Sequence, residues 1–445
     1  MQLEFAPFSD GNPRAGLPTS RLVNMYPEVT RAGPSKSARL QRPCLAVDRV
    51  LGVSSVLGIF QRDGVFNGDV FAVVDTTLYR GEEEIGDVII GPVAKFAASR
   101  TQLIVCIGGS AYCYDGETLE QVTVPDDKQV SWVEWVGSRF YYLVADDDRW
   151  YFSAIDDGST IDGLAFATAD SAPDPTIGAA VLKDQMIFFG RTSIEFWSQT
   201  GDQDAPLIRS LGTSYSKGCV SAQSIVSTDN RVFWIGSDLR AYTLGAPDRI
   251  STDSFDALLR ECSRPEEITG FAAAWGGHEW VVWNLPDLGT WAYHIPSGEW
   301  GEWTSHGRTT FRCRNSVLAG ATCYLGAYDS GTIYRLTDEF TDGDDPVENI
   351  ATCVAPPGPM RVLELECAVG VGPADNYEPI VEMRYSDDLG RTWTAWRQRT
   401  FGKIGKYRHR VRWTNLGTAK RQRHFQFRNS DPVRATFCAV YLNER

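Results

Sequence analysis

A repeated hairpin with a central aromatic residue limits what this chain can fold into. Seven segments between residues 70 and 336 each contain an apolar strand, a short turn and a second strand that carries the aromatic residue. A propeller blade of four short strands needs about 40–50 residues. The spacing therefore predicts a β-propeller over residues 51–340 with seven blades, and a six-bladed ring with one decorated blade is the alternative. The seven anchor aromatics, at intervals of 35 to 51 residues, are Tyr79, Tyr114, Tyr151, Phe196, Tyr242, Tyr293 and Tyr334.

The composition indicates an all-β fold. The chain of 445 residues holds 14 Trp, 17 Tyr and 21 Phe, and it is punctuated by 41 Gly. Aromatic and β-branched residues in short runs between turn residues are typical of strands. Their near-continuous apolar stretches favour the inner strands of the blades, buried on both faces. Helical periodicity is confined to Ser254–Cys262, and a pair of β-sandwiches is a weaker alternative because the aromatic spacing is regular.

Three further segments complete the predicted domain organisation. Residues 1–50 contain six prolines and no evident strand before Cys44, which predicts an extended N-terminal arm that lies against a neighbouring subunit. Residues 341–357 are acidic and then proline-rich, which predicts a linker. Residues 358–445 alternate like two-faced strands, which predicts a C-terminal β-sandwich.

Charge is divided between these domains. The chain carries 43 Lys plus Arg and 57 Asp plus Glu, for a net charge of −14. Residues 358–445 have 16 basic and 9 acidic side chains, a net of +7, so the rest of the chain carries −21. An acidic body with a basic module indicates docking between surfaces of opposite charge, although a solvated basic face is an equally simple interpretation.

The basic stretch around residue 410 contains the candidate interaction residues. A period of two places Arg408, Arg410 and Arg412 on one face of a strand and His409, Val411 and Trp413 on the other. A nucleic-acid surface combines such charge with aromatic stacking on the same face, so contact with an acidic protein surface is favoured. Further basic candidates follow in the sequence: Lys420, Arg421 and Arg423.

Catalytic, metal and cofactor motifs are missing from the sequence. It contains no C-x-x-C, H-x-x-x-H, P-loop or G-x-S-x-G pattern, which predicts a chain without catalytic residues, metal or cofactor. Cys106/Cys113 and Cys313/Cys323 each straddle a hairpin, and buried free thiols are the favoured interpretation. No apolar stretch reaches the roughly 18–20 residues of a membrane span, and no secretory signal is visible, which predicts synthesis in the cytoplasm.

One turn motif suggests a different function class. Residues 386–393 fit the S-x-D-x-G-x-T-W pattern of the Asp box found in sialidases and other β proteins. The motif is expected to stabilise a turn, because its side chains bond turn amides and its tryptophan packs beneath the hairpin. The alternative is a carbohydrate-active or glycan-binding propeller. The Asp-box residues are Ser386, Asp388, Gly390 and Trp393.

Several short segments in a fixed order resemble a known family. They are Val23-Asn24-Met25, Leu78-Tyr79-Arg80-Gly81, Ser193-Ile194-Glu195-Phe196, Lys217-Gly218, the helix around residue 254, His278-Glu279 and the Arg-rich terminal strands. In this order they resemble the tail hub, or nozzle, proteins of short-tailed phages, known as packaged-DNA stabilisation proteins. The Trp-rich segment 283–303 and the Asp box depart from that pattern.

The resemblance implies a non-enzymatic component of the virion tail, made in the host cytoplasm. Several copies, with six as the expected number, would form a ring beneath the portal and its head–tail adaptor. The ring would continue the DNA channel and bind a needle or plug together with tailspikes or fibres. An acidic channel wall suits this role because it repels the DNA backbone and lets the genome slide without sequence-specific contacts.

Overall fold

A computed structural model describes residues 1–7, 9, 20–29, 37–169, 174–210, 215–245, 248–370, 372, 377–403, 405–406 and 409–443. Five strands precede the first complete propeller blade. They are β1 (Gln2–Leu3), β2 (Leu22–Val23), β3 (Met25–Val29), β4 (Ser37–Gln41) and β5 (Cys44–Val50).

Six blades of four consecutive antiparallel strands follow in chain order; the first five are separate sheets, and the sixth is part of a larger sheet. Blade one contains β6 (Val56–Phe60), β7 (Phe71–Val74), β8 (Thr77–Arg80) and β9 (Glu83–Asp87). Blade two contains β10 (Lys95–Ala98), β11 (Leu103–Ile107), β12 (Ser110–Tyr114) and β13 (Leu119–Gln121). Blade three contains β14 (Val130–Val136), β15 (Arg139–Val144), β16 (Arg149–Phe152) and β17 (Phe166–Thr168).

The next three blades repeat this plan. Blade four contains β18 (Thr176–Leu182), β19 (Gln185–Gly190), β20 (Ile194–Gln199) and β21 (Leu207–Arg209). Blade five contains β22 (Val226–Ser227), β23 (Val232–Ile235), β24 (Ala241–Thr243) and β25 (Asp248–Arg249). Blade six contains β26 (Thr269–Trp275), β27 (His278–Leu285), β28 (Gly289–His294) and β29 (Glu299–Trp303).

Blade seven closes the ring with a strand from the N-terminal segment. Its first three strands are β30 (Cys313–Ala319), β31 (Thr322–Ala327) and β32 (Thr332–Thr337). The fourth is β5, which pairs antiparallel with β32 from Cys44↔Thr337 to Val50↔Thr332. The ring is therefore a seven-bladed propeller, as predicted, but its closing strand lies inside residues 1–50, the segment predicted to be an extended arm.

The aromatic anchors share one place in every blade. All seven lie on the third strand, from Tyr79 on β8 to Tyr334 on β32. The prediction that the apolar runs form the inner strands is wrong, because the fully buried runs are second strands such as β7, β11 and β15. Second strands are covered by the neighbouring blade on each face, whereas first strands face the central cavity.

Most of the remaining strands build a β-sandwich. The strands after blade seven are β33 (Thr341–Asp342), β34 (Asp345–Pro346), β35 (Asn349–Ala355), β36 (Gly358–Pro359), β37 (Val362–Val369), β38 (Ile380–Ser386), β39 (Arg397–Thr400), β40 (His409–Thr414), β41 (Thr418–Ala419), β42 (Arg423–Asn429) and β43 (Ala435–Leu442). Among them, β33 pairs with β34 in a hairpin after blade seven, and β36 pairs with β41 in a separate two-stranded ladder. One sandwich sheet has the order β3-β4-β43-β37-β40, with β1 also paired to β43.

The other sandwich sheet is continuous with the propeller. Its order is β26-β27-β28-β29-β2-β35-β42-β38-β39. Blade six and one layer of the sandwich are therefore parts of a single nine-stranded sheet. The joining strand β2 pairs parallel to β29 through Val23↔Glu302 and antiparallel to β35 through Val23↔Ile350. The propeller and the sandwich are therefore joined by backbone pairing through β2.

Two predicted segments are corrected by this topology. The N-terminal arm holds strands β1 to β4, all paired within the same chain. The linker over residues 341–357 holds β35, a buried strand whose neighbours are β2 and β42. Both segments depend on partners far away in the sequence, which stabilise strands that have little local strand pattern.

Helices are few in the described residues. The α-helix α1 (Asp253–Leu259) begins one residue before the predicted segment, and Thr252 caps it by accepting a bond from the Phe255 amide. Phe255, Leu258 and Leu259 are buried, as the predicted periodicity requires. Short 3₁₀ turns cover Phe66–Gly68, Pro125–Asp127, Ala222–Ser224 and Pro265–Glu267.

Candidate functional site

The predicted basic face lies on an edge strand of the sandwich. Strand β40 pairs only with β37 in its sheet, and its side chains alternate between core and solvent. Val411 and Trp413 are buried in the sandwich core, whereas the side chains of Arg410 and Arg412 are 45% and 64% exposed. Arg408, the third predicted residue of this face, lies outside the described residues.

The exposed arginines are matched to carboxylates on the neighbouring strand. Arg412 is the direct cross-strand partner of Glu364, and its Nε lies 2.7 Å from Glu364 Oε1. Arg410 stands opposite Glu366, with Nε 3.2 Å from Oε2, and its guanidinium lies 4.0 Å from the Tyr441 ring centroid. Both glutamates are buried. Much of the arginine charge is therefore balanced within the chain, which sequence reasoning did not foresee.

The other predicted basic residues do not share one environment. Lys420 and Arg421 are exposed in the turn that precedes β42. Arg423 is buried: its Nε and Nη2 lie 2.6 and 2.7 Å from the Asp387 carboxylate, and its guanidinium stacks 4.0 Å from the Tyr385 ring centroid. Its inclusion among the partner-binding residues is wrong, because its donors already bond within the sandwich.

Two arginines that the sequence analysis did not single out extend this face. Arg399 Nε lies 3.3 Å from the carbonyl oxygen of Arg412, and Arg397 Nη2 lies 2.6 Å from that of Thr414. Their strand, β39, is the edge of the nine-stranded sheet, so the edges of both sandwich sheets meet here. We call Arg397, Arg399, Arg410 and Arg412 the basic edge. The alternation in Arg397-Gln398-Arg399 was the signal that could have identified it.

The Asp box forms a closed turn at the end of β38. Ser386 Oγ lies 2.7 Å from Asp388 Oδ1 and accepts a bond from the Gly390 amide, and Trp393 Nε1 donates to the Gly390 carbonyl at 2.9 Å. Gly390 has φ 87°, a conformation that favours glycine. Bonds from the side chain and amide of Thr392 and from Ser386 lower the pKa of Asp388 to about 2. The side chains of Ser386, Asp388 and Trp393 therefore form hydrogen bonds within the turn itself.

A cluster of two histidines and a glutamate joins the propeller to the sandwich. His278 on β27 and His294 on β28 approach with Nδ1 to Nε2 at 3.0 Å, and His278 Nε2 lies 2.9 Å from a carboxylate oxygen of Glu28 on β3. His294 Nδ1 lies 2.8 Å from Ser297 Oγ. Burial, reinforced by the neighbouring His278, lowers the pKa of His294 to about 4. This junction therefore contains a neutral histidine at physiological pH.

The described residues contain no group of three or more His, Cys, Asp or Glu side chains that could hold a metal. All ten cysteines are free, including the two hairpin pairs, and only Cys438 is not buried. Burial raises the pKa of Cys106 and Cys353 far above that of an ordinary thiol. In the same part of the chain, no helix is long and apolar enough to cross a membrane.

Fold and surfaces together define a two-domain propeller–sandwich protein whose candidate sites are interaction faces. The chain belongs to the bacteriophage P22 Gp10 family: the family's beta-propeller profile matches residues 7–341, and its beta-sandwich profile matches residues 357–443. This membership confirms both the resemblance seen in the sequence and the all-β fold class.

A phage protein and several solved structures are similar to the chain. It is 26% identical over 247 residues to the tail hub protein gp10 of Salmonella phage P22. That alignment covers 49% of this chain and 51% of gp10, so the chain spans about half the length of this relative. Similar structures include BBS1N in complex with ARL6DN (10% identity, TM-score 0.42, 66% of this chain and 97% of that chain) and the computationally designed Ika8 protein (12%, 0.40, 75% and 98%).

Proposed function

We propose that this protein is a tail hub of a short-tailed phage, a structural component of the virion that connects the head to the tail tip. The observation that carries the proposal is the match of both P22 Gp10 domain profiles, in order, over most of the chain. The nine-stranded sheet suits the role because it joins the propeller and the sandwich through continuous strand pairing.

In this proposal, several copies form a ring, with six as the expected number, below the portal and its adaptor. The ring retains packaged DNA, continues its channel, and holds a needle or plug and tailspikes or fibres. The net charge of −14 supports passage of DNA, since an acidic wall repels phosphates and offers few basic side chains to bind them. No turnover is required of such a protein, and we propose that it is not an enzyme.

The basic edge, with Lys420 and Arg421, is the proposed contact for an acidic partner, either the adaptor or a neighbouring hub subunit. Exposed ion pairs contribute only about 0–1 kcal/mol each, so several must act together and the docking should weaken with salt. Lys420 and Arg421 are the sharpest probes because they are exposed, whereas Arg410 and Arg412 bond to the buried carboxylates Glu366 and Glu364.

Complementation of DNA-filled heads that lack the hub tests the proposal. The purified protein should restore infectious particles, and the Lys420→Ser/Arg421→Ser variant should restore fewer at low salt. The difference between the two should narrow as salt rises, because salt screens the ion pairs of the unaltered protein. A matched control is Lys183→Ser/Arg231→Ser, which removes two exposed basic side chains from the propeller. Failure of the unaltered protein to bind heads would overturn the hub proposal, whereas equal activity of all variants would overturn only the docking role.

The carbohydrate-active alternative is not favoured. The Asp box, its main support, is engaged in its own turn, and the family match points to a tail hub. Incubation with sialosides and other glycosides should show no hydrolysis. Turnover that a single carboxylate substitution abolishes would contradict this conclusion.

A further inference from the structure

The propeller encloses a central cavity to which the proposed hub function assigns no role. The first strands of all seven blades contribute to its wall, and its volume is ≈ 1170 Å³. Much of the wall consists of small or apolar residues, including Ala179, Val181, Ala272, Ala274 and Leu318. Ligand cavities typically occupy about 300–1,000 Å³ and combine an apolar lining with a few placed polar groups. This cavity is large enough for such a ligand.

Charged side chains interrupt the apolar wall: Asp229, Glu266, Glu267, Glu279 and Arg314 lie on other blades, and one further cluster joins two neighbouring blades. Lys95 begins β10, and Trp132 and Glu134 lie two residues apart on β14, so blades two and three contribute together. Lys95 Nζ stands 4.1 Å from the Trp132 ring centroid, and Trp132 Nε1 donates to Glu134 Oε1 at 2.9 Å. The indole is buried, and the ammonium stands above its face. The cluster is held in place before any ligand arrives.

The ammonium of Lys95 lacks a matching anion in the protein. Among the described residues, no carboxylate oxygen lies within 4.0 Å of its nitrogen, which instead stands over the Trp132 ring. Burial lowers the pKa of Lys95 to about 8, although Glu134 opposes the shift. Burial also raises the pKa of Glu134 to about 7, against the Trp132 bond and Lys95. Neither charge is fully compensated within the chain.

We propose that the propeller cavity binds a small amphiphilic carboxylate, with its carboxylate bonded to Lys95 and its apolar body along the alanine, valine and leucine wall. A carboxylate can accept from the Lys95 ammonium, which forms no ion pair with a described carboxylate, and such charge-assisted bonds are the stronger kind. A ligand without an apolar part, such as inorganic phosphate, would leave the wall uncovered. Glu134 is a positioning residue, because it orients Trp132 beneath the ammonium.

Calorimetric titration of the full chain with octanoate tests this site. Octanoate should bind, and Lys95→Met should weaken its binding at least about tenfold, because the variant keeps the side-chain length and removes the donors. Octanol and phosphate should each bind more weakly than octanoate. The matched control is Lys217→Met, whose lysine pairs with Asp238 outside the cavity and should not affect binding.

A thermal unfolding transition shows whether each variant is folded. If Lys95→Met does not fold, Lys95→Gln is used in its place. Glu134→Gln keeps an acceptor for Trp132 and should retain binding. Equal octanoate affinity of the unaltered chain and the Lys95 variant would overturn the proposal. So would the absence of octanoate binding at millimolar concentration, or equal affinity for octanol or phosphate.

Discussion

Arg42 and Asp342 form a buried two-bond ion pair where the propeller meets the sandwich. Arg42 Nη2 lies 2.6 Å from Asp342 Oδ2 and Nη1 lies 3.1 Å from Oδ1, with side chains 0% and 2% exposed. Arg42 Nε also donates to Asn24 Oδ1 at 2.9 Å, and the Leu45 amide donates to Asp342 Oδ1. The pair thereby connects the N-terminal strands to the hairpin that follows blade seven.

Asp342→Asn should strongly destabilise the chain. The substitution leaves the Arg42 charge buried without its anion, which typically costs about 3–5 kcal/mol. The control is Asp345→Asn in the same hairpin, whose carboxylate is 40% exposed and pairs with Arg312, and it should cost no more than about 1 kcal/mol. Urea unfolding measures both, and similar losses for the two variants would show that the buried pair has no special weight.

Arg410→Ser/Arg412→Ser should destabilise the sandwich because it strands Glu364 and Glu366 as buried carboxylates. We expect a loss of about 2–3 kcal/mol in the free energy of unfolding. Adding Glu364→Gln/Glu366→Gln to that variant should recover at least half of it, since the amides carry no charge. A quadruple variant less stable than the double variant would contradict the pairing. This rescued background also allows the docking role of the basic edge to be tested in a folded chain.

Stability should fall on acidification because of His294. Its pKa is about 4 in the folded chain and about 6.5 when unfolded, so between these values the unfolded state binds more protons. The contribution of His294 to the free energy of unfolding is therefore complete above pH 6.5 and is lost as the pH falls to 4. It amounts to about 2–3 kcal/mol. The difference in urea midpoint between the unaltered chain and His294→Gln should become smaller from pH 7.0 to pH 5.5 and pH 4.5. Parallel midpoints across this range would show that His294 does not titrate as described.

Deletion of residues 1–50 should abolish folding of the chain. It removes β5 from blade seven and leaves the third strand β32 as an open edge, and it also removes four strands of the two sandwich sheets. Circular dichroism and size-exclusion chromatography should show an unfolded or aggregated product. A monodisperse chain with the unaltered melting temperature would mean that the segment is an arm after all.

The propeller was predictable because each blade repeats local chemistry. Aromatic anchors such as Tyr114 and Tyr242 mark third strands, and turn residues mark the hairpins between them. The closing strand β5 was not predictable, because its partner β32 follows almost 300 residues later. Strand β3 was missed for another reason: Pro27 argues against a strand, yet β3 is an edge strand, where a proline is tolerated.

The candidate site was only partly predictable. A period of two identified the exposed face of β40, but the register that places Glu364 opposite Arg412 depends on sheet pairing. Arg423 belongs to the same basic run, yet the fold brings Asp387 to it and buries the pair. Composition thus predicted where the charge lies along the chain, while the partners of each charge required the tertiary structure.

A cryo-electron microscopy map of the infectious particle, focused on the tail, tests the tail hub proposal most directly. We expect a ring of this chain below the portal and adaptor, in which each copy fits the propeller and sandwich as one rigid unit around the DNA channel. The account would be contradicted by a map whose tail density is fully assigned to other chains, or by infectious particles that contain no copy of this protein.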